Sequence, residues 1–289
     1  MQVYICIRGP LSPLWKTLMK LYLAGSKTAG NIKNYWRESM KVYLAGGNSG
    51  YKWAGDYNEL IQTHKPLILE SYFYLKGQDE WILNLRPFFK DFLLDSGAFT
   101  YLNGLKESPD WDRYIENYAA FINKHKIDLF IELDIDSVVG IKEVERLRDK
   151  LETLTNKKSI PVWHKSRGLD YWKKMVKEYD YVSIGGIVTK EIKQNEYDIF
   201  TLLLRIAREN NCKVHGLGFT NFKGLQKYKF YSVDSTAWVY GNRGGFLYLF
   251  KNNTLKKIEP KGKRLLGRKA ALHNFTEWLK FSKFAENNL

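Results

Sequence analysis

The sequence of 289 residues contains only two cysteines, Cys6 and Cys212. They form no CxxC pair and have no histidine at metal-ligand spacing, which argues against a disulfide framework and a cysteine-based zinc site. No apolar run approaches the roughly 20 residues that a membrane-spanning helix needs. The N-terminal residues also lack the order of charge, apolar stretch and cleavage site that marks a signal peptide. We therefore expect a soluble protein with no membrane partner in a reducing, cytoplasmic setting.

Acidic residues are scarce in two segments of the chain. Residues 1–41 carry seven Lys/Arg against Glu38 alone, and residues 251–269 carry eight against Glu259 alone. The two segments contribute +6 and +7 to a total net charge of +15, so the rest of the chain is nearly neutral. Segments of this kind bind polyanions, because neutralising phosphates releases counterions. A basic surface that only aids solubility is an equally open interpretation.

The hydrophobic content of 44% is enough for one substantial core. From Met40 onward, short apolar runs alternate with segments of helical period. The predicted strands are 41–45, 67–73, 92–95, 129–135, 160–164, 181–187, 213–218 and 230–234. Eight strands alternating with helices predict an α/β protein, a (β/α)8 TIM barrel of parallel strands. An open doubly wound sheet is the alternative, but no GxGxxG follows an early strand to support it.

The same pattern divides the chain into three parts. Residues 1–39 form an N-terminal extension or accessory segment, and residues 40–250 form the barrel. The regular alternation ends after Asp234, where a glycine-rich turn and a hairpin-like stretch follow. Residues 251–289 are therefore predicted to be a basic C-terminal segment with a helix.

Polar residues and glycines occupy the end of nearly every predicted strand from the third onward. In a barrel of this kind the carboxyl ends of the strands form the pocket. Any one of these residues could be a helix N-cap or part of a tight turn, but the whole set indicates a site. The residues are Asp95, Glu132, Asp134, Asp136, His164, Gly185, Gly186, His215 and Asp234.

Three of the acids, Glu132, Asp134 and Asp136, alternate with apolar residues and would share one face of a strand. Their mutual repulsion requires a metal, a hydrogen-bonded substrate, or a loop position for the last of them. An ionised carboxylate accepts two N–H bonds and donates none, which suits the N1–H and exocyclic amine edge of a guanine-like base.

Several motifs carry a family resemblance. Asp95-Ser96-Gly97-Ala98-Phe99 resembles the DSGG(F/Y) motif of tRNA-guanine transglycosylases, with Ala98 in place of the second glycine. Gly185-Gly186-Ile187 resembles their GGL turn, and Asp234 followed by Gly241-Asn242-Arg243-Gly244 resembles their nucleophilic aspartate and TRNGR-like loop. The order LLDSGAF, ELDID, IPVWHKSRG, YVSIGGI, KVHGLGFT and YSVDST resembles more closely the short phage-type members, which place 7-deazaguanine bases in DNA.

The resemblance implies a transferase that replaces guanine in a polynucleotide with a free 7-deazaguanine base, in the host cytoplasm if a phage encodes it. Asp234 would be the nucleophile and Asp95 the acid/base for the base proton, with no cofactor and no metal. The chain lacks the CxCxxC…His zinc subdomain of the tRNA enzymes. DNA is therefore the expected partner, and tRNA is the alternative.

The resemblance and the barrel position together assign further roles. The residues expected to bind the substrate are Ser96, Gly97, Phe99, Asp134, His164, Gly185, Gly186 and His215, with His164 at the place where the tRNA enzymes present a glutamine. The residues expected to hold nucleic-acid phosphates are Lys165, Arg167, Arg243, Lys261, Lys263 and Arg264. The candidate stacking platforms for bases are Tyr72, Tyr74, Phe99 and Tyr101.

Two other interpretations stay open at this point. A metal-dependent barrel hydrolase would use Glu132, Asp134, Asp136, His164, His215 and Asp234 as ligands. A catalytically inactive barrel would bind nucleic acid through its basic ends, although this does not explain the polar strand ends. The sequence leaves the oligomeric state open.

Overall fold

A computed structural model of the protein describes residues 39–47, 55–102, 109–239, 245–259 and 267–289. The predicted extension 1–39 lies almost entirely outside these residues. Four of the predicted phosphate contacts also lie outside them, namely Arg243, Lys261, Lys263 and Arg264.

Eight strands form one sheet in the order β4-β3-β2-β1-β8-β7-β6-β5, with parallel pairing throughout. The strands are β1 Lys41–Ala45, β2 Leu67–Ser71, β3 Asp91–Asp95, β4 Leu129–Phe130, β5 Val162–Trp163, β6 Tyr181–Ile184, β7 Lys213–Gly216 and β8 Ser232–Ser235.

The sheet closes on itself beside its two edge strands. A parallel bridge joins Ile131 to Ile160. There the Ile160 N–H donates to the Phe130 carbonyl at 2.8 Å, and the Glu132 N–H donates to the Ile160 carbonyl at 3.1 Å. Closure of eight parallel strands confirms the predicted (β/α)8 barrel.

All eight predicted strands exist, but several end earlier than the apolar runs do. The predicted strand 129–135 is reduced to Leu129–Phe130 and the bridge at Ile131. The reason lies in the next residue, since the Glu132 carboxylate accepts the Val162 N–H at 2.7 Å. A side chain thus replaces a backbone acceptor, and the chain leaves the sheet before Asp134.

Helices follow the strands and cover the outside of the barrel. The Asp110 side chain caps the helix Trp111–Lys124 by accepting the N–H groups of Asp112 and Arg113 at 3.0 and 3.2 Å. The helices are α1 Gly55–His64, α2 Tyr72–Leu75, α3 Asp79–Leu85, α4 Phe99–Leu102, α5 Trp111–Lys124, α6 Asp136–Val139, α7 Ile141–Thr155, α8 Gly168–Glu178, α9 Ile199–Glu209, α10 Phe222–Lys227 and α11 Gly267–Asn288. An antiparallel hairpin precedes α11 and consists of β9 Leu247–Lys251 and β10 Thr254–Ile258.

Alternation along the strands sorts side chains into two layers. Outward residues such as Val42, Ile68 and Phe92 join the large core beneath the helices. Inward residues such as Leu69 and Leu93 form a second apolar cluster inside the barrel. The interior is therefore packed below the mouth, and the polar strand ends lie above this packing.

The C-terminal helix belongs to the barrel. In α11, Phe275 is fully buried and its ring lies 5.0 Å from that of Trp238. The Ser282 hydroxyl donates to the Val42 carbonyl of β1 at 2.8 Å. The predicted segment 251–289 thus contains a helix, α11, whose apolar face covers β1. None of the described helices has the length and apolar character that a bilayer crossing requires.

We predict that Phe275→Ala lowers the free energy of unfolding by about 3–5 kcal/mol, because it leaves a cavity against Trp238. Urea unfolding measures the change, and Phe284→Ala on the same helix is the control, since Phe284 is only half-buried. Equal and small losses in both variants would show that α11 is not part of the barrel core.

Candidate functional site

Asp95 ends β3 and is followed by a tight turn. Its carboxylate accepts the Gly97 N–H at 2.9 Å. Gly97 has a φ of +78°, and a Cβ on it would lie 2.5 Å from the Phe73 Cβ, so only glycine fits. Burial raises the pKa of Asp95 to about 6, although the hydrogen bond from the Gly97 N–H lowers it. The nearby charges of Asp234 and Asp134 raise it further. The three carboxylates therefore lie close enough to interact across the mouth of the barrel.

Asp234 lies on β8, at the same mouth of the barrel as Asp95. Its Oδ1 accepts the Gly218 N–H at 2.7 Å and faces Nε2 of His215 at 3.2 Å. Gly218 has a φ of +68°, a conformation that favours glycine. Among the described residues, none donates a hydrogen bond to Oδ2 of Asp234. Oδ1 of Asp234 is thus held by its two contacts, whereas Oδ2 accepts no hydrogen bond from the described residues.

His215 has a different role from the one that the sequence suggested. Its side chain is fully buried, so it cannot contact a substrate at the mouth as predicted. Its Nδ1 lies 2.6 Å from the Ser232 hydroxyl, and its Nε2 faces Asp234. The structure therefore places His215 behind the aspartate, as a support for it.

His164, at the end of β5, is held between two acids. Its Nε2 lies 2.6 Å from Asp134 Oδ1, and its Nδ1 lies 2.8 Å from Glu191 Oε2. Burial alone would lower the pKa of His164, but the hydrogen bonds to Asp134 and Glu191 raise it to about 10. The same contact with His164 lowers the pKa of Glu191 to about 2. His164 is therefore an imidazolium whose N–H groups are both engaged, and neither is free for the predicted contact with a base carbonyl.

The Gly185-Gly186 turn makes room for this arrangement. A Cβ on Gly185 would lie 2.9 Å from Cε1 and Nε2 of His164. A Cβ on Gly186 would lie 2.7 Å from Oε2 of Glu191. The glycines thus let the His164–Glu191 pair pack against the β6 end. Sequence reasoning missed Glu191, because it lies in an irregular loop after the strand, where no periodic pattern marks it.

The remaining acids of the β4 end are neutralised by arginines. Glu132 is fully buried and lies 3.1 Å from Nη1 of Arg148 and 3.4 Å from Nη1 of Arg167. Arg167 also pairs with Asp136 at 2.8 Å. Only 3% of the Arg167 side chain is exposed, so the structure contradicts its predicted contact with a phosphate. Lys165 pairs with Glu196 at 2.7 Å but stays partly exposed at the rim.

The predicted stacking residues separate into two groups. Tyr72 is buried and its ring packs 5.0 Å from that of Tyr118, so its predicted role as a stacking platform is wrong. Tyr101 packs against Phe73 and Trp111 at 5.3 and 5.5 Å. In contrast, Tyr74 and Phe99 are 52% and 48% exposed in the short helices α2 and α4, which follow β2 and β3.

Comparison with solved structures supports the fold. The chain is similar to the YdjI aldolase from Escherichia coli K12, with a TM-score of 0.50, 9% sequence identity, and coverage of 86% of this chain and 91% of that one. It is also similar to the tryptophan synthase subunit alpha from Campylobacter jejuni, with a TM-score of 0.46, 12% identity, and coverage of 85% and 99%. No family model and no curated protein matches the sequence. At 9% identity, the likeness to the aldolase shows the (β/α)8 fold alone.

We predict that Glu191→Gln lowers the pKa of His164 from about 10 toward its ordinary value of 6.5, because one of the two acids that stabilise the imidazolium is lost. The pKa of His164 is higher in the folded protein than in the unfolded chain, so protonation of His164 stabilises the fold. This stabilisation is complete below pH 6.5 and is lost as the pH rises through about 10. The wild type should therefore lose stability between these pH values more steeply than the variant does. NMR titration of the imidazole and urea unfolding measure the two effects.

The matched control is Glu196→Gln in the same loop, whose partner is Lys165. It should leave the His164 titration unchanged. A similar shift in both variants, or none in either, would contradict the assigned ion pair.

Proposed function

We propose that the protein is an enzyme, a base-exchange transglycosylase that replaces guanine in a polynucleotide with a 7-deazaguanine base. One observation carries the proposal. Asp95 and Asp234, from β3 and β8, share one barrel mouth but have different environments. Asp95 is half-buried with a pKa of about 6, whereas Asp234 has one oxygen fixed by Gly218. Two carboxylates in distinct environments suit separate acid/base and nucleophilic roles.

The chemistry proceeds in two displacements at C1′ of the target nucleotide. The available Oδ2 of Asp234 attacks C1′ while the bond to guanine breaks through an oxocarbenium-like transition state. Protonated Asp95 gives its proton to the departing base. The incoming 7-deazaguanine then attacks C1′, displaces Asp234, and returns an N–H proton to Asp95. After the second displacement, Asp234 is again a free carboxylate and Asp95 is again protonated.

Base recognition is assigned to Asp134 and its surroundings. One oxygen of Asp134 is held by the His164 imidazolium at 2.6 Å, which keeps the carboxylate charged and oriented. Its second oxygen can accept the N1–H or amine of a guanine-like base. The Ser96 hydroxyl is buried without a hydrogen-bond partner among the described residues, and a bound base would provide one.

A polynucleotide must deliver its base out of the stack into this mouth, at a cost of a few kcal/mol. The exposed rings of Tyr74 and Phe99 are suitable for stacking against neighbouring bases. Lys165 and the basic segment 251–269 would hold phosphates. DNA is the proposed polynucleotide and tRNA the alternative, because the sequence lacks the zinc subdomain that accompanies tRNA docking in the family it resembles.

A metal-dependent hydrolase has one observation in its favour. Asp134, Asp136 and His164 each offer a ligand atom, and these atoms lie within 4.8 Å of one another. A metal there would have to displace the proton of His164 and compete with Arg167 for Asp136. We therefore favour base exchange. Activity that a chelator abolishes and added Mg²⁺ or Zn²⁺ restores would favour the hydrolase instead.

We predict that Asp234→Asn abolishes base exchange, with a loss on the order of 10³-fold or more, because the amide is a poor nucleophile. DNA and tRNA are incubated separately with guanine and with 7-deazaguanine bases, and the released nucleosides are measured by mass spectrometry. The control is Asp91→Asn, which removes a carboxylate at the opposite end of the barrel interior, where it pairs with Lys41 at 2.6 Å. Full exchange in folded Asp234→Asn would refute the nucleophile assignment.

We also predict that single-turnover release of guanine slows as the pH rises through about 6, the pKa of Asp95. The protonated carboxyl is the acid for the departing base, so the fast form exists below this pH. Asp95→Asn should be slower by roughly 10² to 10⁴ and should lose the inflection. A wild-type inflection that persists in this variant would assign the proton to another group.

A further inference from the structure

A line of hydrogen-bonded side chains runs from the interior of the barrel to Asp234. The Tyr181 phenol of β6 is hydrogen-bonded to the Ser232 hydroxyl of β8. The Ser232 oxygen lies 2.6 Å from Nδ1 of His215 in β7. Nε2 of His215 lies 3.2 Å from Oδ1 of Asp234. Three strands thus contribute to one chain of contacts that ends on the proposed nucleophile.

Strand register explains why these side chains meet. Ser183 pairs with His215, and His215 pairs with Ser232, across neighbouring parallel strands. Residues at two-residue intervals share a face, so Tyr181 points inward with Ser183, and Asp234 points inward with Ser232. Ser232 and His215 are fully buried, and Tyr181 is half-buried. Polar groups in such a position are stable only if they are hydrogen-bonded to one another.

The contacts define where the protons lie. An ionised Asp234 accepts and cannot donate, so Nε2 of His215 carries a hydrogen. With a neutral ring, Nδ1 accepts from the Ser232 O–H, and the Ser232 oxygen then accepts from the Tyr181 O–H. Burial raises the pKa of Tyr181, so the phenol keeps its proton as the first donor. Each O–H and N–H dipole then points towards Asp234, and every group has a partner.

His164 and His215 differ in the number of carboxylates that they contact. His164 contacts two carboxylates, Asp134 and Glu191. His215 contacts one carboxylate and one hydroxyl that can donate to it. A second proton on His215 would also remove the acceptor of the Ser232 O–H. The surroundings of His215 therefore favour a neutral ring.

We propose that His215 is a positioning residue, locked by Ser232 and Tyr181 as the neutral Nε2–H tautomer that fixes Oδ1 of Asp234. This inference rests on the proposed function. A neutral donor orients the carboxylate for attack through Oδ2 without forming an ion pair that would weaken the nucleophile. Since the chain is buried behind Asp234, its loss affects the chemical step and not the binding of the polynucleotide.

The first test is ¹⁵N NMR of histidine-labelled protein, in which long-range couplings distinguish the ring tautomers. The wild type should show His215 as neutral Nε2–H between pH 6 and 8. Ser232→Ala removes the hydroxyl that Nδ1 accepts from, so the variant should show a mixture of tautomers or a charged ring. A charged or Nδ1–H ring in the wild type, or an unchanged tautomer in Ser232→Ala, would overturn the proposal.

The second test compares two phenols that both lie inside the barrel. Tyr181→Phe removes the first donor of the chain, whereas Tyr43→Phe removes a buried phenol that donates instead to Asp91 at 2.9 Å. Single-turnover guanine release should fall roughly tenfold in Tyr181→Phe with unchanged polynucleotide affinity, and it should stay at the wild-type rate in Tyr43→Phe. Equal rates in the two variants would overturn the proposed chain.

The two proposals fail in different ways. If the wild type exchanges no base on DNA or tRNA while the His215 tautomer depends on Ser232, the proposed function is wrong and the hydrogen-bonded chain stands. If the wild type exchanges bases and Asp234→Asn does not, while the tautomer is independent of Ser232, the chain is wrong and the proposed function stands.

Discussion

The structure depends on neutralising carboxylates that a closed barrel brings together at one mouth. An unpaired buried charge is destabilising, so each acid requires its own solution. Glu132 lies between two arginines, and Asp134 holds a histidinium. Asp234 accepts a backbone N–H from Gly218. Asp95 accepts the Gly97 N–H, but burial still shifts its pKa to about 6. This carboxyl can therefore carry a proton near neutral pH.

The positions of these acids follow from features that the sequence displays. Alternating apolar runs locate the strands, and eight such runs predict a closed parallel barrel. Once the strands are placed, Asp95 and Asp234 must meet at the carboxyl ends, although almost half of the chain separates them. Gly97 also marks a close approach to the backbone of Phe73, which a side chain would prevent, and Gly218 has a positive φ that favours glycine. The fold and the main residues of the mouth were predictable on these grounds.

The partners of the acids were not predictable in the same way. Glu191 comes from an irregular loop, and Arg148 comes from the middle of α7, so neither follows a strand end. Arg167 has a sequence neighbour, Lys165, that is partly exposed, yet it is itself buried against Glu132 and Asp136. In α11 the many basic residues conceal the apolar face that covers β1. A charged residue in the sequence predicts a surface position only where the fold places no residue of opposite charge against it.

The contrast between the two histidines shows how the mouth can hold charge on one side and not on the other. Two carboxylates around His164 favour its imidazolium and fix a charged group between the β5 and β6 ends, where we propose that the base is recognised. At His215 one of those acids is replaced by a hydroxyl, so the ring can orient Asp234 without neutralising it. In the proposed mechanism, exchanging a single partner type thus separates the histidine that holds Asp134 for base recognition from the histidine that positions Asp234. The proposed nucleophile then stays reactive because its support donates a hydrogen bond and no full charge.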